Sequence, residues 1–195
     1  MQFLIPQLSN YPNYIVKYFM FLAISRIFSF LILATIVLAL VFLSENVNAD
    51  TARKGDPAFL SVGLGYYDFN RKKETGAEFR AEYRSDQKIS IFKPFVAFSA
   101  TNTSQGFIGA GILLDLFIGR KFVMTPSFAP HYYWGGNKKL DLGHSIEFRS
   151  QMELSYRFDN RARLGAAISH YSNASIGSTN PGTETGTIYF SFPLD

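Results

Sequence analysis

The sequence predicts an all-β fold, an eight-stranded antiparallel transmembrane β-barrel of the outer membrane. Three observations predict it. From Phe59 onward apolar residues recur at every second position, with no competing helical period. The resulting segments are even in number and are joined by links that alternate between short and long. The polar face of the segments combines small residues with opposite charges at alternate positions, as a narrow barrel interior requires.

The first segment sets Leu60, Val62, Leu64 and Tyr66 against Ser61, Gly63 and Gly65. The second sets Ala77, Phe79, Ala81 and Tyr83 against Glu78, Arg80, Glu82 and Arg84. Around Lys93 to Ala100 the pattern is less clean, with Val96 and Phe98 opposing Phe95, Ala97 and Ser99. Ile108, Ala110, Ile112, Leu114 and Leu116 then oppose Gly109, Gly111 and Asp115. The fifth segment places Phe122, Met124, Pro126 and Phe128 opposite Lys121, Thr125 and Ser127. Ile146, Phe148, Met152 and Leu154 oppose Glu147, Arg149, Gln151, Glu153 and Arg157 in the sixth. The seventh carries Ala162, Leu164, Ala166, Ile168, His170 and Ser172 on one face, and the eighth carries Glu184, Ile188, Phe190, Phe192 and Leu194. Short turns are expected near Asp86-Gln87, Gly119-Arg120 and Asp159-Asn160, and long links over 70–75, 101–105, 135–143 and 174–183.

Parity alone does not say which face lines the lumen. A secreted lipid-binding barrel would turn the apolar face inward around a ligand. The small residues Gly63, Gly65, Gly109, Gly111, Gly165 and Ala167, with Glu78/Arg80/Glu82/Arg84 and Glu147/Arg149 beside them, favour a polar interior of paired charges. Tyr66, Tyr132, Tyr133 and Trp134 are expected as interface girdles.

Residues 1–49 are read as a cleaved signal peptide. Lys17 and Arg26 precede an uncharged apolar run from Ile27 to Leu43, followed by Val47-Asn48-Ala49, an ending suited to signal peptidase. An uncleaved anchor is the rival reading, and the start lies at Met1 or Met20. Residues 50–195 then form a single eight-stranded barrel domain. Of the charged residues only Lys17, Arg26 and Glu45 precede it, so the formal net charge of +4 is hardly changed and there is no charge run to imply nucleic acid. The absence of cysteine excludes disulfides, thiol catalysis and cysteine-based metal sites. His131 and His144 stand apart from any acidic cluster with ligand spacing, so no metal site is expected. No G-x-S-x-G elbow occurs, which removes the α/β-hydrolases.

The candidate chemistry lies in the last two segments. His170 and Ser172 share one strand face, so the imidazole can reach the hydroxyl and take its proton. Glu184 begins the next segment, and a hairpin brings it beside the end of its predecessor to orient the imidazole. Asn173 and Asn180 are candidate oxyanion donors, and Pro181 and Gly182 shape the intervening loop. The bland alternative makes His170 and Ser172 rim residues and Asn180-Pro181-Gly182 a turn. Against it, His, Ser and Glu occupy positions where lipid-facing apolar residues are expected, and polar groups there are expensive unless they have a task. A hydrolytic set on an apolar face implies a lipid substrate.

His-x-Ser-Asn over 170–173, followed by Asn180 and Glu184, resembles the PagL family of lipid A deacylases. The match is sharp from Ala166 to Phe192 and elsewhere rests on strand count and length. The resemblance implies Ser172 as nucleophile, His170 as general base and Glu184 as its partner. It also implies Asn173 and Asn180 at the oxyanion hole, removal of the 3-hydroxyacyl chain ester-linked at the 3 position of lipid A, and no metal or other cofactor. The expected partners are lipid A in lipopolysaccharide and the outer membrane of a Gram-negative bacterium. Two other readings stay open, a non-enzymatic small barrel serving adhesion or membrane integrity and the secreted lipid-binding barrel.

Overall fold

A computed structural model describes residues 56–136 and 139–194, and the leader expected over 1–49, with the start of the barrel domain at Asp50, lies outside them. The strands are β1 (Ala58–Tyr67), β2 (Gly76–Arg84), β3 (Lys93–Thr101), β4 (Gly106–Leu113), β5 (Leu116–Ile118), β6 (Phe122–Trp134), β7 (Ile146–Arg157), β8 (Arg163–Ser172) and β9 (Thr183–Leu194). Every pairing is antiparallel, and β1 pairs with both β2 and β9, so the sheet closes on itself without a free edge.

The β4 and β5 strands are one stave of the barrel. Both pair with β6, and the register is unchanged across the gap, with Leu113 opposite Ser127 and Leu116 opposite Met124. The interruption has a simple cause. Leu114 donates its N–H to the Pro126 carbonyl at 3.0 Å, but proline has no N–H to return the bond. The closed barrel is therefore the eight-stranded one expected from the sequence.

The alternation resolves the choice between lumen and exterior. Leu60, Leu64, Phe79, Val96, Ile108 and Ile168 point outward and are exposed, whereas Glu78, Arg80, Glu82, Arg84, Arg149 and Glu153 are buried. An apolar wall facing out around a charged interior suits a bilayer, and the secreted lipid-binding barrel is excluded. Inside, Arg80 pairs with Glu78 at 2.8 Å, Arg84 with Glu82 at 2.9 Å and with Glu153 at 2.7 Å, and Arg149 with Glu82 at 2.8 Å. Each of these six buried charges thus meets an opposite one, which offsets the cost of removing it from water. The lumen is tight. A β-carbon at Gly63 would stand 2.7 Å from Thr187 Cγ2 of the neighbouring β9, so any larger residue would have to displace the side chains packed beside it.

Both ends of the lumen are stoppered. At the end holding the chain's entry into β1, Lys93 and Arg163 bind Asp56 and Asp115, with Lys93 3.0 Å from Asp56 and Arg163 2.9 Å from Asp115. At the other end Tyr67, Phe107, Tyr133, Leu140, Leu142 and Tyr171 form an apolar plug, with Phe107 stacked on Tyr171 at 4.4 Å between centroids. The interior is a packed core rather than a channel. Tyr133 corrects the girdle reading. It is buried in that plug, because its parity in β6 is that of His131, while Tyr66, Tyr132 and Trp134 are exposed as expected. Two links also differ from the expected alternation. The link over 85–92 is extended and holds an Ile89–Phe92 bridge, and the link over 102–105 is a compact turn. The first carries apolar Ile89, Ile91 and Phe92, and all three are exposed.

Candidate active site

The β8 strand alternates buried and exposed residues without a break, so Leu164, Ala166, Ile168 and His170 stand on the outer wall, with half-buried Ser172 next on that side. Residues two apart on a strand lie about 7 Å apart along it, within reach of an imidazole ring. In register, His170 faces Glu184 of β9 on one side and Ser150 of β7 on the other. Directly opposite residues have β-carbons about 5 Å apart. The His170 and Glu184 side chains accordingly meet, with Nδ1 3.1 Å from Oε1.

That contact fixes the imidazole. With Nδ1–H donating to the carboxylate, the Nε2 lone pair is left to accept a proton. The two partners differ in exposure, the His170 side chain being 45% exposed and the Glu184 carboxylate 18%. The orienting acid is thus shielded while the ring reaches the surface, an arrangement suited to proton transfer with a bound substrate.

Residues 173–182 form the loop beyond the pair, and Asn173 organises it. Fully buried, it donates both hydrogens of its carboxamide, to Leu142 O at 2.9 Å and Thr179 O at 2.7 Å, and accepts from Ser175 N–H at 2.9 Å. Its own N–H donates to Asn180 Oδ1 at 3.1 Å. All the donors of Asn173 are therefore spent, on its own loop and on Leu142 of the link between β6 and β7, and Asn180, exposed, keeps its amide hydrogens. Gly182 makes the close approach. Its φ is +63°, and a β-carbon there would stand 2.9 Å from Tyr171 O and 3.2 Å from His170 Cε1.

The structure thus brings His170 and Glu184 into contact, sets Ser172 next on the same wall and locks Asn173 to Asn180 across the loop. Sequence reasoning missed Arg71, whose Nε lies 3.9 Å from Glu184 Oε2. It comes from the link between β1 and β2, and no local pattern in that polar stretch marks it.

A family model described as lipid A 3-O-deacylase (PagL) matches residues 92–193, which include β3 to β8 and all but the last residue of β9. The chain belongs to the PagL family. It is 25% identical over 130 residues to lipid A deacylase PagL of Pseudomonas aeruginosa, an alignment covering 67% of this chain and 65% of that protein's length. Among solved structures, the fold is similar to the crystal structure of the outer membrane enzyme PagL, with a TM-score of 0.57 and 16% identity over 70% of this chain and 99% of that one. A de novo designed transmembrane β-barrel superposes with a TM-score of 0.52 and 12% identity, covering 73% of this chain and 98% of the design. The architecture is that of an outer-membrane barrel, and the apolar outer wall described above meets the bilayer.

Proposed function

We propose that this protein is a lipid A 3-O-deacylase, a serine esterase that removes the 3-hydroxyacyl chain ester-linked at the 3 position of lipid A in the outer leaflet. The observation that carries the reading is the 3.1 Å contact between His170 and Glu184 on the lipid-facing wall, with Ser172 two residues along the same strand. Membership of the PagL family supports it.

In this reading Ser172 Oγ attacks the ester carbonyl as His170 Nε2 takes its proton. Collapse of the tetrahedral intermediate breaks the bond to the sugar oxygen, which receives that proton from His170. Water then attacks the acyl-serine, losing a proton to His170, and collapse of this second intermediate breaks the bond to Ser172 Oγ, which takes that proton back as the free fatty acid departs. Glu184 holds the ring in the tautomer that leaves Nε2 free and balances the imidazolium. Asn180 is the oxyanion donor, and Asn173 serves the same end by holding the loop that presents it. The outward direction of the set explains the substrate class, since an acyl chain already in the bilayer reaches it without leaving the apolar phase.

Mass spectrometry of lipid A tests this in Gram-negative cells expressing the wild-type chain or Ser172→Ala. Loss of one 3-hydroxyacyl mass with the wild type alone is the expected result. Unchanged lipid A with a correctly inserted wild-type barrel, and no release by that barrel in detergent, would contradict it.

A further inference from the structure

The link between β1 and β2 is more than a connection. Its first residue, Asp68, is fully buried at a φ of +53°, and its carboxylate is saturated. Oδ2 accepts the N–H groups of Lys73 at 2.6 Å and Glu74 at 2.8 Å, and Oδ1 accepts the hydroxyl of Thr183 at 3.1 Å. The Lys72 N–H returns to the Asp68 carbonyl at 3.1 Å, and Lys72 also takes a left-handed φ of +55°. The Phe69 N–H donates to the Glu184 carbonyl at 3.3 Å. One buried carboxylate therefore both curls the link and bolts it to Thr183-Glu184 at the start of β9. Non-glycine residues held left-handed are costly and persist only where the surroundings fix them, as here.

The curl delivers Arg71 to the candidate site. Its Nε lies 3.9 Å from Glu184 Oε2, the carboxylate oxygen that His170 does not use. Its Nη2 and His170 Cε1 converge on the same vacant spot, at 3.6 Å and 3.2 Å from where a Gly182 β-carbon would be. Glycine at 182 leaves room for the His170 ring, with Arg71 Nη2 just beyond it at an ordinary contact distance.

From this geometry we infer that Arg71 is a positioning residue for the His170–Glu184 pair, held in place by the Asp68 bolt. The inference rests on the proposed reading of His170 as general base. Arg71 acts in two ways. By engaging Oε2 it fixes the carboxylate with Oε1 toward Nδ1, so that the imidazole is oriented before substrate arrives. By occupying Oε2 it also keeps that oxygen from competing with Oε1 for the Nδ1–H, so the pair holds one arrangement. The charged groups at the ring are Glu184 from β9 and Arg71 from the link, and β7 presents uncharged Ser150 opposite His170 and Phe148 opposite Ser172.

The test compares wild type, Arg71→Gln and Arg71→Lys in detergent micelles, with folding checked by the heat-dependent gel mobility of barrels. The chain has three histidines, so the ring signals can be resolved by NMR and that of His170 identified by its loss in His170→Asn. The expected result for Arg71→Gln is a fall in kcat of about 10-fold with KM little changed, and a weakened downfield Nδ1–H signal of His170. Arg71→Lys should restore most of both. An unchanged kcat and an unchanged Nδ1–H signal in folded Arg71→Gln would overturn the inference. So would a raised KM with kcat unmoved, which would make Arg71 a ligand for a substrate anion. If the wild type releases no acyl chain, the proposed function fails, while the Nδ1–H signal still decides whether Arg71 orients the pair.

Discussion

The barrel contains two cross-strand histidine–glutamate pairs, and they have opposite fates. His131 of β6 faces Glu147 of β7, as His170 of β8 faces Glu184 of β9. The first pair points inward. His131 is 2% exposed and Glu147 is fully buried, the His131 Nδ1–H donates to the Ala129 carbonyl at 3.1 Å instead of to the carboxylate, and the ring meets Tyr171 edge-on. The neighbouring β4 closes on it, since a β-carbon at Gly109 would stand 2.6 Å from His131 Cγ. The second pair points outward, forms its own hydrogen bond and has Ser172 beside it. The residue types and the pairing geometry are the same. Strand parity alone separates a packing element from a pair that a lipid can reach.

Three substitutions sharpen that contrast. The largest effect is expected from Glu184→Gln, which keeps the shape of the pair but can present an amide to Nδ1. Acyl release should fall by about 10²- to 10⁴-fold while folding is unchanged, as read from initial rates on lipid A in detergent. The inner charge network answers to stability instead. Glu82 pairs with Arg84 and Arg149 in the buried core, so Glu82→Gln removes the carboxylate from Arg149 and leaves Arg84 with Glu153 alone. A loss of about 3–5 kcal/mol is expected from urea unfolding in micelles, with the folded fraction still active. The smallest effect belongs to His131→Asn. Its acyl-release rate should stay within about twofold of wild type, because the buried ring is a packing element and at most some stability is lost.

The staves were legible in the sequence because their signal is local. Alternation in the Ala77–Arg84 and Ile146–Arg157 segments shows directly which residues face the lumen. His170, Ser172 and Glu184 could be grouped for the same reason, since one hairpin joins β8 to β9. What stayed hidden depends on contacts distant in sequence. Arg71 and Asp68 reach the pair only because β1 closes against β9, a pairing of residues more than a hundred positions apart. Asn173 reads as a free donor until Leu142 and Thr179 are seen to take its hydrogens. Tyr133 was misplaced for a different reason. Composition marked it as interfacial, and the parity that sends it inward was available but outweighed by its aromatic neighbours.

The most direct test of the account is covalent trapping with a long-chain alkyl fluorophosphonate, which modifies a serine only when its histidine activates it. The adduct should map by peptide mass spectrometry to Ser172, disappear in His170→Asn and persist in His131→Asn. Labelling at Ser150 instead, or labelling of Ser172 that survives loss of His170, would contradict the assignment of the outward-facing set as the reactive one.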